Sequence, residues 1–289
     1  MRFALVINPT SGRHKGVAIG AEATALLEAA GHEVISFQGE NASDARDQLK
    51  QAIDRGLDSV VVVGGDGALH AVLDHIADSD LTFGLIPAGT GNDTARTLGI
   101  PLKDTRAAVG VLLEAKTRTI DLALAGEAFV ATVVASGFDS KVNERANAMA
   151  WPRGNMRYNI AILAELKVFE PLHFSIDLDG KRIERDAMLV AVGNGPSFGG
   201  GLRMCEGAVL DDGYLDVVII NPVSKIELLK VFPKLSKGTH VSHSSYEHHL
   251  VKAVTIDSPG IVAYGDGERL GPLPITVSAC PGVLRVFVP

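Results

Sequence analysis

Glycine and acidic residues carry most of the chemistry this sequence could perform. Three short segments combine glycine with small polar residues: Asn8-Pro9-Thr10-Ser11-Gly12, Gly64-Gly65-Asp66-Gly67 and Gly89-Thr90-Gly91-Asn92-Asp93. Glycine lets a backbone approach a ligand closely and turn its N–H groups toward it. A helix starting directly after such a segment adds partial positive charge. Thr10, Ser11, Thr90 and Asn92 offer neutral donors, so the three segments together suit phosphate. Asp66 repels a phosphate anion and suits instead a magnesium ion, that ion's water, or an acceptor hydroxyl. Any one segment is equally readable as an ordinary β–α turn, since turns use the same residues. Three of them, each directly after a strand, favour phosphate. No GxxxxGK[ST] occurs, which excludes a P-loop, and no GxGxxG follows the first strand.

Two Asp-Gly turns follow later in the chain, Asp212-Gly213 and Asp266-Gly267. Both are hairpin signals in their own right. Glu268 distinguishes the second, because two carboxylates in one turn repel and one of them is then poised to take a proton. The sequence leaves open which of the two accepts it; Asp266 is preferred, with Glu268 as an orienting partner.

The elements needed to hold these residues are legible from periodicity. Phe3 to Ile7, Glu33 to Phe37, Ser59 to Val63 and Thr82 to Ile86 read as strands. Helical patterns over Val17 to Ala30, Ala42 to Asp54, Leu69 to Ala77 and Asp93 to Leu98 alternate with them, Ser43 or Asn41 capping the second. Such alternation predicts a doubly wound α/β domain, and ligands on its parallel sheet bind beyond the carboxyl ends of the strands, where the glycines fall. After about Lys116 strands dominate: 118–123, 129–135, 173–178, 187–193, 214–220, 253–257, 260–264, 275–279 and 284–288. This second pattern predicts an all-β sandwich. Helical insertions over about 157–169 and 225–235 interrupt it. The expected division is an α/β nucleotide-binding domain over 1–120 and a β-sandwich substrate domain over 121–289, with a cleft between them.

Gly64-Gly65-Asp66-Gly67 followed by Pro87-Ala88-Gly89-Thr90-Gly91-Asn92-Asp93 and Ala95-Arg96 resembles the diacylglycerol kinase catalytic family, which includes sphingosine and ceramide kinases and soluble bacterial lipid kinases. The likeness runs from Asn8-Pro9 through Gly193-Asn194-Gly195, Gly199-Gly200-Gly201 and Asp212-Gly213 to Asp266-Gly267-Glu268. The glycine-aspartate motif alone also resembles NAD kinases and phosphofructokinases, so the expected first domain is of that kind. The resemblance implies that Asn8 to Gly12, Gly64 to Gly67, Thr90, Asn92 and Asp93 line an ATP site. It implies that Asp66 and Asp93 organise magnesium and the phosphates, and that Asp266 or Glu268 is the general base, with Asp66 beside them. A second, structural magnesium is implied at Asp212 with the backbone oxygens of Val209 and Tyr214. Ala68 stands where the family usually has Thr, His70 where Asn is common, and Phe37-Gln38 where a Thr is usual. Lost hydroxyls of this kind weaken nucleotide contacts by about 1 kcal/mol each.

With 46% hydrophobic residues among 289, the chain can build a sizeable core. Its net charge of −7 argues against a broad nucleic-acid surface, leaving a local basic patch open. Two cysteines, Cys205 and Cys280, fit a reducing cytoplasm. The N-terminal apolar run is too short for a signal peptide, and no stretch reaches the roughly 18 apolar residues of a membrane span. The resemblance implies a lipid substrate at a membrane surface, met peripherally at the inner face, with a homodimer left open. Ile226, Leu228, Leu229, Val231, Phe232 and Leu235 alternate with Lys225, Lys230, Lys234 and Lys237. That pattern suits an anionic interface, or a helix packed on the sandwich with a solvated lysine face. Trp151-Pro152-Arg153-Gly154 reads as an interfacial segment or a plain loop. His240, His243, His248 and His249 match no metal spacing and read as a solvated loop.

The expected activity is ATP- and magnesium-dependent phosphorylation of a lipid hydroxyl, with diacylglycerol the first candidate. Sphingoid or other lipid acceptors, a soluble acceptor of the NAD kinase type, and a regulator that binds nucleotide without catalysis are the alternatives.

Overall fold

The computed structural model describes residues 1–39, 42–149, 151 and 155–289. Its first part alternates strand and helix: β1 (Arg2–Ile7), α1 (Ser11–His14), α2 (Gly16–Ala29), β2 (Glu33–Gln38), α3 (Ala42–Asp54), β3 (Ser59–Gly64), α4 (Asp66–Ile76), β4 (Thr82–Pro87), α5 (Asp93–Thr97) and α6 (Thr105–Glu114). β2, β1, β3 and β4 are neighbours in that order and all parallel. β3 and β4 are buried at every position, as expected of strands covered on both faces. α6 lies where periodicity showed no helix. Asp104 caps it by accepting from Ala107 N at 3.0 Å, and Ala108, Val109, Val111 and Leu112 turn into the core.

The second part runs β5 (Thr117–Ala125), β6 (Ala128–Val130), β7 (Val133–Gly137), α7 (Phe138–Ala148), α8 (Asn155–Val168), β8 (Leu172–Leu178), β9 (Lys181–Ala187), β10 (Leu189–Gly193), β11 (Leu215–Ile220), α9 (Lys225–Leu235), β12 (Tyr246–Val251), β13 (Ala253–Asp257), β14 (Val262–Gly265), β15 (Glu268–Pro272) and β16 (Ile275–Phe287). One antiparallel sheet has the order β12-β11-β10-β7-β14-β15. It packs on β5, β6, β8, β13 and β16 through a shared core that includes Val190, Val192, Val217, Phe174, Ile176, Val254 and Val277. This is the expected sandwich. The runs 275–279 and 284–288 are one strand, β16, with an irregularity between Cys280 and Leu284. β16 pairs antiparallel with β5 and β13 and, at Arg285 and Val286, parallel with β4.

Other differences have local causes. The expected strand 129–135 is broken at Ala131-Thr132, whose N–H groups leave the ladder to bind the Asp266 carboxylate. The histidine segment is not a solvated loop. His240 is buried, His248 and His249 lie in β12, and His243, His248 and His249 pair with Glu227, Asp216 and Glu247. Asn41 and the Pro152–Gly154 part of the tryptophan segment lie outside the described residues.

α7 was unexpected. Its start is fixed by Ser140, whose Oγ accepts from Gly137 N at 2.8 Å. Asp139 in its first turn keeps some exposure as a residue, yet its Oδ1 is enclosed and, among the described residues, has no hydrogen-bond partner. Burial pushes its pKa up to about 7, against the backbone N–H donors that favour the anion. The folded state then binds a proton that the unfolded state has lost, so stability falls as pH rises from about 4 through this range. Asp139→Asn is expected to raise the melting temperature above neutral pH, by about 2–4 °C for each ~1 kcal/mol recovered. The gain should vanish below the ordinary carboxylate pKa, which thermal unfolding at a series of pH values would check.

Candidate active site

The strand order places β1 between β2 and β3, so successive crossovers leave β1 in opposite directions and open a crevice at its carboxyl end. All three glycine segments meet there. Asn8 follows β1, and its N–H donates to Val63 O at 3.0 Å. Its Oδ1 accepts from Thr10 N and Thr10 Oγ1 at 3.0 and 2.9 Å, which curls the turn. Gly65 and Gly89 touch backbone to backbone: a Cβ on Gly89 would lie 2.5 Å from Gly65 Cα. Gly12, at φ +58°, would carry its Cβ 2.6 Å from Ala88 O. Side chains are thus excluded where the segments cross. Thr10 and Thr90 are exposed at the rim.

The acidic residues of this crevice bind main-chain N–H groups. Asp66, at the start of α4, accepts from Asp93 N and Thr94 N, both at 3.0 Å, and so fixes the start of α5. Burial raises its pKa against these donors, and the Asp93 and Asp266 charges raise it further. Asp93 in turn accepts from Gly200 N and Gly201 N at 2.7 Å each, across to the loop after β10. Asp66 Oδ2 and Asp93 Oδ2 both border Gly91, at 3.1 and 3.2 Å from the position its Cβ would take. Asn92 was expected to offer a phosphate donor. Its amide is committed to the loop itself, since Oδ1 accepts from Gly89 N and Nδ2 donates to Gly89 O, both at 2.9 Å.

The turn Asp266-Gly267 joins β14 to β15 with φ of +51° and +87°, the geometry its Asp-Gly pair predicts. It separates the two carboxylates. Asp266 is buried and accepts from Ala131 N, Thr132 N and Thr132 Oγ1 at 2.7, 2.9 and 2.6 Å. Glu268 is exposed and lies on the glycine segment of the other lobe, its Oε1 2.6 Å from the position of a Gly67 Cβ. Glu144 of α7 steadies the hairpin by accepting from Tyr264 Oη at 2.7 Å and Arg269 Nε at 3.0 Å. The structure therefore brings together the glycine segments, Asp66, Asp93, Asp266 and Glu268.

Val209, Asp212 and Tyr214 occupy a turn before β11 whose contacts are with other elements. Asp212 Oδ1 accepts from Tyr214 N at 3.0 Å. The buried Asp121 of β5 holds the turn from below, accepting from Gly213 N and Gly282 N at 2.7 Å each. Asp121 and Thr132 escaped the sequence reading. Their carboxylate and hydroxyl act on backbone and side-chain groups far along the chain, and no local motif marks them.

Comparison with known proteins agrees with this geometry. Residues 2–125 match the diacylglycerol kinase catalytic domain, and residues 132–288 match the YegS C-terminal NAD kinase beta sandwich-like domain. A diacylglycerol kinase of Mycobacterium tuberculosis is 43% identical over 294 residues, covering 100% of this chain and 95% of the relative. One from Staphylococcus aureus is 28% identical over 292 residues, covering 100% and 92%. A crystal structure of a diacylglycerol kinase from Bacillus anthracis superposes with a TM-score of 0.80 at 22% identity, covering 100% of this chain and 97% of the other, a likeness of fold. Fold and matches define a two-lobed phosphotransferase of the NAD-kinase-like class. The chain belongs to the diacylglycerol kinase family and is an enzyme that phosphorylates an alcohol group.

Gly67 offers a direct test of the contact between lobes. A methyl group there meets only the end of the flexible Glu268 side chain, so Gly67→Ala should fold normally while displacing that carboxylate. Turnover is expected to fall on the order of 10²-fold with an unchanged melting temperature, as for a misplaced catalytic group.

Proposed function

We propose that the protein is an ATP- and magnesium-dependent lipid kinase that transfers the γ-phosphoryl group to the hydroxyl of diacylglycerol, forming phosphatidic acid. What carries this reading is the seat of Glu268, a solvent-reachable carboxylate resting on Gly67 of the glycine crevice. In that position it can accept the proton of an alcohol whose oxygen attacks a phosphorus held by Gly64 to Gly67, Asn8 to Gly12 and Thr90. Asp266, enclosed by three donors, acts in this scheme as the anchor of the turn and not as the base. This assignment replaces the preference drawn from sequence alone. N–H groups of the crevice orient the phosphates, and positioning supplies most of the rate enhancement.

Asp66 and Asp93 fit a magnesium site. Their oxygens both border Gly91, each with lone-pair capacity beyond the N–H it accepts, and their mutual repulsion already contributes to the raised pKa of Asp66. A bound ion would supply charge neutralisation to the phosphates. Asp212 with the carbonyls of Val209 and Tyr214 is a single-carboxylate set, which suits a hydrated structural magnesium.

The acceptor would be met at a membrane surface through α8 and α9. Met156, Ile160 and Leu163 form one exposed apolar row on α8, and Ile226 and Leu229 another on α9. Lys225 Nζ donates to Lys167 O and ties the two helices together. α9 also packs on the sandwich through Leu228, Phe232 and Leu235, which leaves its other face for the proposed interface. Lys230 and Lys234 border the exposed row, an arrangement suited to anionic headgroups.

Transfer of radiolabel from ATP to diacylglycerol, sphingosine, ceramide and NAD tests the acceptor. Label on diacylglycerol is expected, and label confined to a water-soluble acceptor would overturn the assignment. Glu268→Gln should lower kcat by roughly 10²–10⁴-fold at unchanged thermal stability. Asp266→Asn should lose stability as well, because its buried donors lose charge-assisted bonds worth roughly 1.5–3 kcal/mol each. Charge reversal at Lys230 and Lys234 should reduce co-sedimentation with anionic vesicles and leave turnover of a short-chain soluble substrate intact.

A further inference from the structure

His70 lies one turn after Gly67 on α4, so the two residues share a face of that helix. Gly67 meets Glu268, and His70 meets Asp266. The His70 Nδ1 stands 3.9 Å from Asp266 Oδ2, with 16% of the imidazole and none of the carboxylate exposed. This separation is an ion-pair distance and too long for a hydrogen bond. Nδ1 is nevertheless enclosed and, among the described residues, has no hydrogen-bond partner. A closer approach of about 1 Å between α4 and the turn would complete the bond.

The charges acting on this imidazole are all negative: Asp266 and Glu268 from the turn, and Asp74 one turn further along α4. Asp74 Oδ1 also faces Phe129 N at 3.5 Å, on the strand that packs against α4. Asp266 already has its three donors from Ala131 and Thr132, all neutral. His70 is therefore the group placed to bring a positive charge to that carboxylate from the nucleotide lobe.

We propose that His70 is a positioning residue for the acceptor-side turn, its imidazolium holding Asp266, and through the turn Glu268, in register with Gly67. The role deepens the lipid-kinase reading above and rests on it. The Asp266 carboxylate, with Glu268 and Asp74 in support, raises the pKa of His70 against the opposing effect of burial. A raised folded pKa means that the contribution of His70 is complete below the free imidazole value, about 6.5, and is lost as pH rises through the folded value. Above that value the turn loses its cationic anchor.

Two measurements test this. The imidazole C–H resonances of the wild-type protein, with His70 assigned by its loss in His70→Gln, are followed by NMR across pH. His70 is expected to titrate above the ordinary imidazole value; titration at or below it overturns the proposal. This measurement needs no turnover, so it stands if diacylglycerol proves not to be the acceptor. In the second, kcat and KM are measured against pH with diacylglycerol in detergent micelles. His70→Gln should lower kcat roughly tenfold near neutrality, with little change in KM for ATP, and should lose the alkaline decline of the wild type. His70→Lys, a cation at every pH used, should restore kcat and keep it at alkaline pH. A wild-type pH profile in His70→Gln, or no recovery in a folded His70→Lys, overturns the proposal. Absence of lipid phosphorylation by the wild type would sink the acceptor assignment and leave the NMR titration to decide on His70.

Discussion

The site depends on buried carboxylates that take their hydrogen bonds from distant main-chain N–H groups. Asp66 fixes the start of α5, Asp93 holds the loop at Gly200 and Gly201, Asp266 holds Ala131 and Thr132, and Asp121 holds Gly213 and Gly282. Asp66 and Asp93 tie loops and a helix start together, while Asp266 and Asp121 reinforce the adjoining β14–β7 and β16–β5 pairings. Bonds of this kind are worth roughly 1.5–3 kcal/mol apiece, and a lost carboxylate leaves its N–H partners enclosed without acceptors. The acids of the crevice therefore shape it before any substrate arrives.

The same acids set the electrostatic problem of the site. Asp66, Asp93 and Asp266 interact unfavourably with one another, which is part of why the Asp66 pKa is raised. A nucleotide brings further negative charge. Bare phosphates would be repelled, so in the proposed function the N–H groups of the glycine segments and a divalent cation are complementary requirements of one arrangement. His70 belongs to this balance on the acceptor side. Where Asp66 and Asp93 would, in the proposed function, draw a cation from solution, Asp266 has a titratable one on the adjacent helix.

Much of this was legible in the sequence, and the boundary of legibility is physical. β3 and β4 read clearly because doubly covered parallel strands are continuous apolar runs, and the glycine segments stand at their ends. The Asp-Gly turns declared themselves because only certain residues adopt positive φ easily. Long-range hydrogen bonds left no such mark. The break between β6 and β7 follows from a carboxylate 135 residues away, and the Asp93 clasp closes on glycines more than 100 residues further on. Sequence alone could not separate Asp266 from Glu268 either. Their difference is one of burial, and it appears only once the turn is seated between the lobes. α7 was missed because its exposed polar residues outnumber the few that pack, Val142 and Ala146 among them.

β16 limits how this machine can move. One end of the strand pairs with β4 of the nucleotide lobe, and its length pairs with β5 and β13 of the sandwich. A hinge that swung the lobes apart as rigid bodies would have to break that ladder. Smaller movements meet less resistance. The loop at Gly199 to Gly201 has three successive residues at positive φ and is tied to the nucleotide lobe by the Asp93 carboxylate, which accepts from Gly200 N and Gly201 N. On the opposite side, the β14–β15 turn touches α4 through side-chain ends, Glu268 on Gly67 and His70 on Asp266. The unfulfilled His70–Asp266 distance is the place where such a movement would gain a bond.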